Sequence, residues 1–100
     1  IALEIRAYMN YNKIRESLCY WRSKHGAEVD FIIGNEIAVE VKSTKQVAEK
    51  HLKGLKTLQE ENIIEKIFLV SFDKTHRKKA GIEIIFWQEF LKKLWAGKII

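Results

Sequence analysis

The sequence predicts an α/β domain with a mixed central sheet flanked by helices, in the order αβββαββα. Residues 26–33 and 36–42 alternate apolar and polar side chains with the period of a strand. The continuous apolar run Ile67, Phe68, Leu69 and Val70 is typical of a strand buried on both faces. A helix is predicted between this run and the second alternating segment, which implies a right-handed parallel crossover. These features together predict the fold class.

Before the two alternating segments, the chain predicts a helix and a strand. Residues 1–11 carry apolar side chains at helical spacing, and a polar connection is predicted over residues 10–15. Residues 18–23 are rich in aromatic side chains and are predicted to form a strand. Its Cys19 is interpreted as a small apolar strand residue. Residues 24–26 are predicted to form the turn that leads into the next strand.

After the alternating segments, a helix is predicted over residues 45–61, with Ser43 or Thr44 as its N-cap. Its apolar stripe consists of Ala48, Leu52, Leu55 and Leu58. Gly54 lies in the middle of this helix and indicates close packing against another backbone. The outer face carries several lysines, which suit phosphate contact and simple solvation equally well.

The C-terminal third predicts two strands, over residues 65–72 and Ile82–Phe86, and a closing helix over Trp87–Trp95. The apolar side chains of this last helix recur at helical spacing, which indicates a core or subunit contact. Between the strands, residues 73–81 are predicted to form a basic loop. An exposed hairpin tip explains this loop somewhat better than a grip on a phosphate backbone.

Length and composition predict one domain, residues 1–100, that needs neither disulfide nor structural metal to form its core. The single cysteine excludes an intramolecular disulfide and suits a reducing cytoplasm. Apolar runs are only a few residues long, so no segment is predicted to span a membrane. The chain opens in mid-pattern without methionine, which suggests a fragment of a longer polypeptide. A net charge of +5 raises the expectation of a polyanionic partner.

The register of the predicted hairpin decides which side chains meet. A two-residue turn at Gly34 and Asn35 would set Asp30 opposite Val39 and mix the two faces. A three-residue loop over residues 34–36 keeps the apolar sets together, with Val29 on the same face as Phe31 and Ile33. This second register sets Asp30 opposite Glu40, and it is the one we predict.

Two carboxylates placed side by side repel each other, so a compensating group is expected. A shared proton would reduce the repulsion, as would the ammonium group of Lys42, two residues beyond Glu40 on the same face. A divalent cation would do so best, because Mg²⁺ is commonly held by one or two carboxylates together with water and phosphate oxygens.

Asp30 followed by Glu40, Val41 and Lys42 resembles the PD-(D/E)XK motif of the restriction-endonuclease-like nucleases. A longer part of the sequence is similar to a more specific family, the domain of unknown function that follows the AAA+ module of many bacterial and archaeal ATPases. This similarity rests on Tyr20-Trp21-Arg22-Ser23-Lys24, residues 26–33, Glu40 to Ser43, Leu52-Lys53-Gly54-Leu55 and residues 90–97. The resemblance implies a restriction-endonuclease-like core of the predicted element order.

The resemblance also implies roles for individual residues. Asp30 and Glu40 would bind Mg²⁺ or Mn²⁺, the backbone carbonyl of Val41 would be a third ligand, and Lys42 would act on the attacking water. Glu4, on the first helix, is either a further metal ligand or a solvated surface residue. The candidate nucleic-acid-binding residues are Lys45, Gln46, Lys53, Arg77 and Lys78.

Three functions are therefore expected as alternatives. The first is a metal-dependent nuclease that hydrolyses DNA or, less favoured, RNA, with a homodimer as one way to cut both strands. The second is a catalytically silent module that binds nucleic acid or protein beside an ATPase module on the same polypeptide. In the third, Glu40 and Lys42 form a simple surface ion pair, with Asp30 exposed and far away.

Overall fold

A computed structural model describes residues 2–13, 18–22, 28–34, 36–61 and 64–100. The helices are α1 (Ala2–Tyr11), α2 (Lys53–Gln59) and α3 (Trp87–Trp95), and a 3-10 turn (Glu49–Leu52) precedes α2. The strands are β1 (Leu18–Arg22), β2 (Glu28–Ile33), β3 (Ile37–Lys42), β4 (Lys66–Ser71), β5 (Arg77–Lys79) and β6 (Ile82–Phe86). The predicted bounds of β6 and α3 are confirmed.

The strands form one mixed sheet in the order β1-β2-β3-β4-β6-β5. The pairs β3–β4 and β4–β6 are parallel, and the other neighbours are antiparallel. The α/β class, the mixed sheet and the parallel pairing across α2 are thus confirmed. The prediction of an unbroken loop over residues 73–81 is wrong, because β5 lies within it and pairs with β6 at the edge of the sheet.

One face of the sheet packs against α1 and α3. These helices contribute Ile5, Tyr8, Met9, Phe90 and Leu94 to a buried cluster with apolar side chains of β2, β3, β4 and β6. The ring of Phe68 on β4 meets that of Phe90 edge to face at 5.8 Å. Ile5, Tyr8 and Met9 of the predicted apolar stripe are therefore buried. The two residues predicted to flank the stripe are exposed, Leu3 to 82%, together with Ala7.

The other face of the sheet packs against α2 and the 3-10 turn. Leu52, Leu55 and Leu58 are buried against side chains of β2, β3, β4 and β6. Gly54 is half-buried between these leucines. Burying such a leucine contributes about 1.5–3 kcal/mol relative to leaving it in water, which explains why the short helix is held to the sheet.

The helix predicted over residues 45–61 begins later, and neither predicted N-cap is used. Residues 43–48 are irregular; the Thr44 hydroxyl instead bonds to the N–H and C=O of Gln46, at 3.2 and 3.0 Å. The 3-10 turn starts after Ala48, whose N–H donates to Nδ1 of His51. Ala48, predicted to be apolar core, is exposed. The cause of the late start is tertiary and is described with the site.

Some predictions fall outside the described residues. These are the turn over residues 24–26, and the side chains of Cys19, Tyr20 and Trp21. Among the described residues, no helix is both long and apolar enough to cross a bilayer.

Candidate metal centre

The hairpin between β2 and β3 has the predicted three-residue loop and register. Phe31 lies opposite Val39 and Ile33 opposite Ile37. Gly34 has a φ of +59°, a conformation that glycine adopts without strain, and the Glu36 N–H donates to the Ile33 carbonyl at 3.1 Å. The recorded pairing ends at Phe31 and Val39, the residues that adjoin Asp30 and Glu40.

A β-bulge lies in β2 at Asp30. Cys19 of β1 pairs with Ile32, whereas Trp21 pairs with Val29, so two residues of β2 oppose one residue of β1. Such bulges turn the strand and re-aim its side chains. The bulge reverses the face of Val29, which packs in the α2 cluster. The prediction that Val29 shares a face with Phe31 and Ile33 is therefore wrong.

The Asp30 carboxylate is bonded directly to the backbone of β3. Its Oδ2 accepts the Val41 N–H at 2.9 Å, and the side chain is half-buried. In a regular ladder, the Val41 amide would instead face Val29, the residue before Asp30. The N–H and C=O of one strand residue point toward the same neighbouring strand. The Val41 carbonyl is therefore also directed toward β2. The Val41 carbonyl is thus on the side on which the resemblance expects a metal ligand.

Glu40 and Lys42 lie along the same face at the C-terminal end of β3. Glu40 is buried, with 4% of its surface exposed, and its Oε1 is 4.0 Å from Nζ of Lys42. Lys42 itself is partly exposed, so its ammonium group lies between the buried carboxylate and solvent. A buried carboxylate is costly without compensating partners, and Lys42 supplies one opposite charge. The surface ion pair of the third alternative does not fit this burial.

A cleft of about 450 Å³ opens where β3 and β4 end, between α1 and α3. Its walls are mostly apolar and aromatic, and its polar groups are those of Glu4, Lys42, Ser43 and Ser71. Phe72, 45% exposed, meets Trp87 edge to face at 6.4 Å in this cleft. Lys42 therefore borders the cleft and also lies next to Glu40.

Glu4 lies in the cleft wall, on the α1 side of the sheet. Its Oε2 accepts a hydrogen bond from Nε1 of Trp95 at 3.1 Å, and the residue is exposed. Glu40 alternates with Val39 and Val41, which belong to the α1 side, and so faces α2. The structure thus engages Glu4 with α3 rather than with Asp30 and Glu40.

The candidate nucleic-acid-binding residues fall into two groups. Lys45 and Gln46, in the segment after β3, and Lys53, at the start of α2, are all exposed. Lys78 lies opposite Glu83 in the same row of the sheet as Val39, so it is on the α1 side. The sheet therefore separates Lys78 from Glu40.

Arg77 belongs to a network inside the protein. Its guanidinium donates to the Val47 carbonyl at 3.0 Å, to the Thr75 carbonyl at 3.1 Å and to Oδ2 of Asp73 at 3.2 Å. With these three acceptors, the guanidinium has a clear structural role. Its assignment as a nucleic-acid-binding residue remains a prediction.

Asp73 is the centre of this network, and the sequence predictions missed it. It is buried; its Oδ2 accepts the Val47 N–H at 2.9 Å and its Oδ1 accepts the Thr75 N–H at 2.9 Å. These backbone donors, more than the nearby Arg77, hold the pKa of the Asp73 carboxyl below its usual range. The available signal was an aspartate directly after a buried strand with threonine two residues later, the pattern of an Asx-turn.

The network also explains the late start of the helix. Both backbone polar groups of Val47 are occupied, the N–H by Asp73 and the C=O by Arg77. Residues 43–48 are consequently held to the end of β4, where the Phe72 N–H also donates to the Thr44 carbonyl. This segment follows Lys42 directly and forms one rim of the candidate site.

The number of side chains able to bind a metal differs between Zn²⁺ and Mg²⁺ sites, which bears on the candidate centre. Within the described part of the chain, no cluster of three histidine, cysteine or acidic side chains could hold a metal ion. Zn²⁺ sites usually need three or four such ligands, whereas Mg²⁺ is held by one or two carboxylates and keeps several waters. A site made of the Asp30 and Glu40 carboxylates and the Val41 carbonyl, as the resemblance implies, would be of the second type.

A family model for a domain of unknown function, DUF4143, matches residues 1–90. No curated protein and no solved structure matches the chain. The family match agrees with the domain of unknown function expected from the resemblance. It covers Asp30, Glu40, Lys42 and the residues that line the cleft, except Leu91. The chain therefore belongs to the DUF4143 family.

Proposed function

We propose that the chain is a metal-dependent nuclease domain that hydrolyses phosphodiester bonds of DNA. The observation that carries the proposal is the hairpin register, which brings the Asp30 carboxylate to the Val41 amide on the strand that holds Glu40 and Lys42. Asp30, Glu40 and Lys42 are the residues to which the PD-(D/E)XK resemblance assigns the metal-binding and catalytic roles. Mg²⁺ or Mn²⁺ is the proposed cofactor.

In this proposal Asp30, Glu40 and the Val41 carbonyl hold the cation. When bound there, the cation would supply a water of lowered pKa and neutralise negative charge on the scissile phosphate. Lys42 orients the attacking water and stabilises the charge that develops on the phosphate oxygens. The water oxygen forms a bond to phosphorus as the bond to the leaving sugar oxygen breaks. The attacking water gives up one proton to solvent, and the leaving oxygen takes one from solvent.

The cleft lies on the α1 side of the sheet and meets the candidate site at Lys42, at the end of β3. We propose that it takes a nucleotide next to the scissile bond. Its volume of about 450 Å³ lies in the range of small-molecule sites, and the Phe72 and Trp87 rings offer faces on which a base can stack. Lys45 and Gln46, exposed on the segment after β3, are proposed to contact the phosphate backbone, and Lys53 to extend that contact along α2. Duplex cleavage would then need a homodimer or two successive cuts.

A second candidate function is a silent binding module attached to an ATPase module on the same polypeptide. The observation that favours it is the position of Glu4, whose carboxylate bonds to Trp95 and so adds no third acid to Asp30 and Glu40. Such a module would bind DNA or a protein without cleaving DNA. The same basic surface would serve this role.

Calorimetric titration with Mn²⁺ and Mg²⁺ tests the nuclease proposal. We expect micromolar-to-millimolar binding to the wild type and its loss in both Asp30→Asn and Glu40→Gln. Glu36→Gln is the matched control, because Glu36 is an exposed acid in the same hairpin, and it should bind as the wild type does. Supercoiled plasmid DNA should then be nicked with Mn²⁺ and remain intact with a chelator.

Absence of metal binding in the wild type, or unchanged binding in both variants, would refute the nuclease proposal. Metal-independent DNA binding without cleavage would support the silent module instead.

A further inference from the structure

A second cleft, of about 290 Å³, opens at the opposite end of the sheet from Lys42. It lies where β4 and β6 begin, and four lysines from separate parts of the chain line it: Lys66, Lys78, Lys93 and Lys98. We call it the lysine cleft. Since β4 runs from Lys66 to Ser71, about 17 Å of strand separates it from the candidate metal centre.

The acids of the lysine cleft do not balance its lysines. Glu83 is engaged with Lys93, with Oε2 and Nζ 3.5 Å apart, and also with Nε2 of His76 at 3.0 Å. Glu65 is the second carboxylate in the lining, and it is exposed.

Lys66, Lys78 and Lys98 make no ion pair with another described residue. Three exposed ammonium groups therefore share a small cleft with one exposed carboxylate. Like charges that line one cleft repel each other, and a bound anion would reduce the repulsion.

The lining of the lysine cleft also includes apolar side chains. The buried side chains of Phe68 and Ile99 form part of its lining. An ammonium group acts as a point charge that binds phosphate oxygens on a flexible stem, and several such groups match an anion with several phosphate oxygens. We infer that the lysine cleft binds phosphate oxyanions, supplied either by a soluble polyphosphate or by a nucleic-acid backbone.

The test is calorimetric titration of the 100-residue chain, in chelator, with tripolyphosphate and separately with a 15-nucleotide oligo-dT. The cleft variant is Lys66→Gln with Lys98→Gln. The control variant is Lys13→Gln with Lys92→Gln, which removes the same charge from exposed positions outside the cleft. We expect binding to weaken by about tenfold or more in the cleft variant and by less than about twofold in the control. Circular dichroism melting checks that both variants fold.

Tripolyphosphate binding that the cleft variant loses would support the inference with a soluble polyphosphate as the source. Oligonucleotide binding alone, lost in the same variant, would support it with a nucleic-acid backbone as the source. No binding of either probe, or equal weakening in both variants, would overturn it. Because chelator is present throughout, these outcomes do not depend on metal binding at Asp30 and Glu40.

Discussion

Asp30 and Asp73 lie on opposite sides of β3, and their carboxylates have different surroundings. Asp73, just beyond β4, is buried and accepts two backbone N–H groups and the guanidinium of Arg77. Asp30, on β2, is half-buried and accepts one hydrogen bond within the described part of the chain, from the Val41 N–H. A carboxylate offers about four acceptor sites. Asp73 therefore has most of its acceptor capacity occupied by protein, and Asp30 keeps much of its capacity available.

This difference separates a structural acid from one suited to bind a ligand. Asp73 and Arg77 fix both backbone groups of Val47, and so hold the segment that follows Lys42. Asp30 makes one bond that orients it toward β3, which is what a metal ligand needs from its supporting groups. The different roles that we propose for the two acids therefore rest on the number of protein donors around each one.

The largest expected effect concerns the candidate site to which Asp30 belongs, and the residue to change is Lys42. If the chain cleaves DNA as proposed, Lys42→Met should lower the single-turnover cleavage rate by about 10²–10⁴-fold, because the ammonium group that acts on the water and the phosphate is lost. Mn²⁺ affinity should persist, since both carboxylates remain. The measurement is plasmid nicking at saturating Mn²⁺, with calorimetry for metal affinity.

Lys50→Met is the control for Lys42→Met, because Lys50 is exposed on the 3-10 turn. A cleavage rate that Lys42→Met leaves at the wild-type value would exclude a catalytic role for this lysine.

The structural side of the comparison predicts a large loss of stability. Asp73→Ala should lower the free energy of unfolding by about 2–3 kcal/mol, because it removes charge-assisted bonds and leaves the buried Val47 N–H without its acceptor. Urea denaturation measures the change. Asp30→Asn is the matched comparison, and we expect it to change stability by less than about 1 kcal/mol, since only one protein bond is involved. Equal losses in the two variants would remove the distinction drawn between the acids.

Patterns within single strands were enough to predict most of the fold. Alternation in β2 and β3 predicted the loop length and the facing of Phe31 and Val39, both of which are confirmed. A buried strand over residues 66–71 was visible as an uninterrupted apolar run, because both of its faces are covered. The regular apolar spacing of α3 gave its bounds.

Features set by distant contacts were not predictable. The helix after β3 starts late because Val47 is bonded by residues 26 and 30 positions away along the chain. The edge strand β5 consists of Arg77, Lys78 and Lys79, whose charged side chains give no strand pattern. The bulge at Asp30 depends on pairing with β1 and leaves no mark in the spacing of β2, so the new face of Val29 was missed.

The smallest of the expected effects is a pH dependence that belongs to Asp73 alone. Its pKa is below the usual 3.8 in the folded protein, so its contribution to stability is complete above that value and is lost as the pH falls through the folded pKa. Asp73→Asn should therefore be less stable than wild type by about 1–2 kcal/mol at pH 6, with the difference shrinking between pH 4 and lower values. Urea denaturation of both proteins from pH 6 downward measures it.

The difference between the two proteins isolates Asp73 from other acids that titrate in the same range. Glu49, with its pKa lowered to about 2 by hydrogen bonds to Lys56 and Lys79, is present in both, so its contribution cancels. A difference in stability that stays constant down to pH 2.5 would contradict a depressed pKa at Asp73. Protonation of Asp73 at low pH should also weaken its hydrogen bond to the Val47 N–H. The expected sign is faster amide exchange at Val47. Exchange at Val41 tests the other acid independently, because its amide bonds to Asp30 and should respond to Asp30→Asn but not to Asp73→Asn.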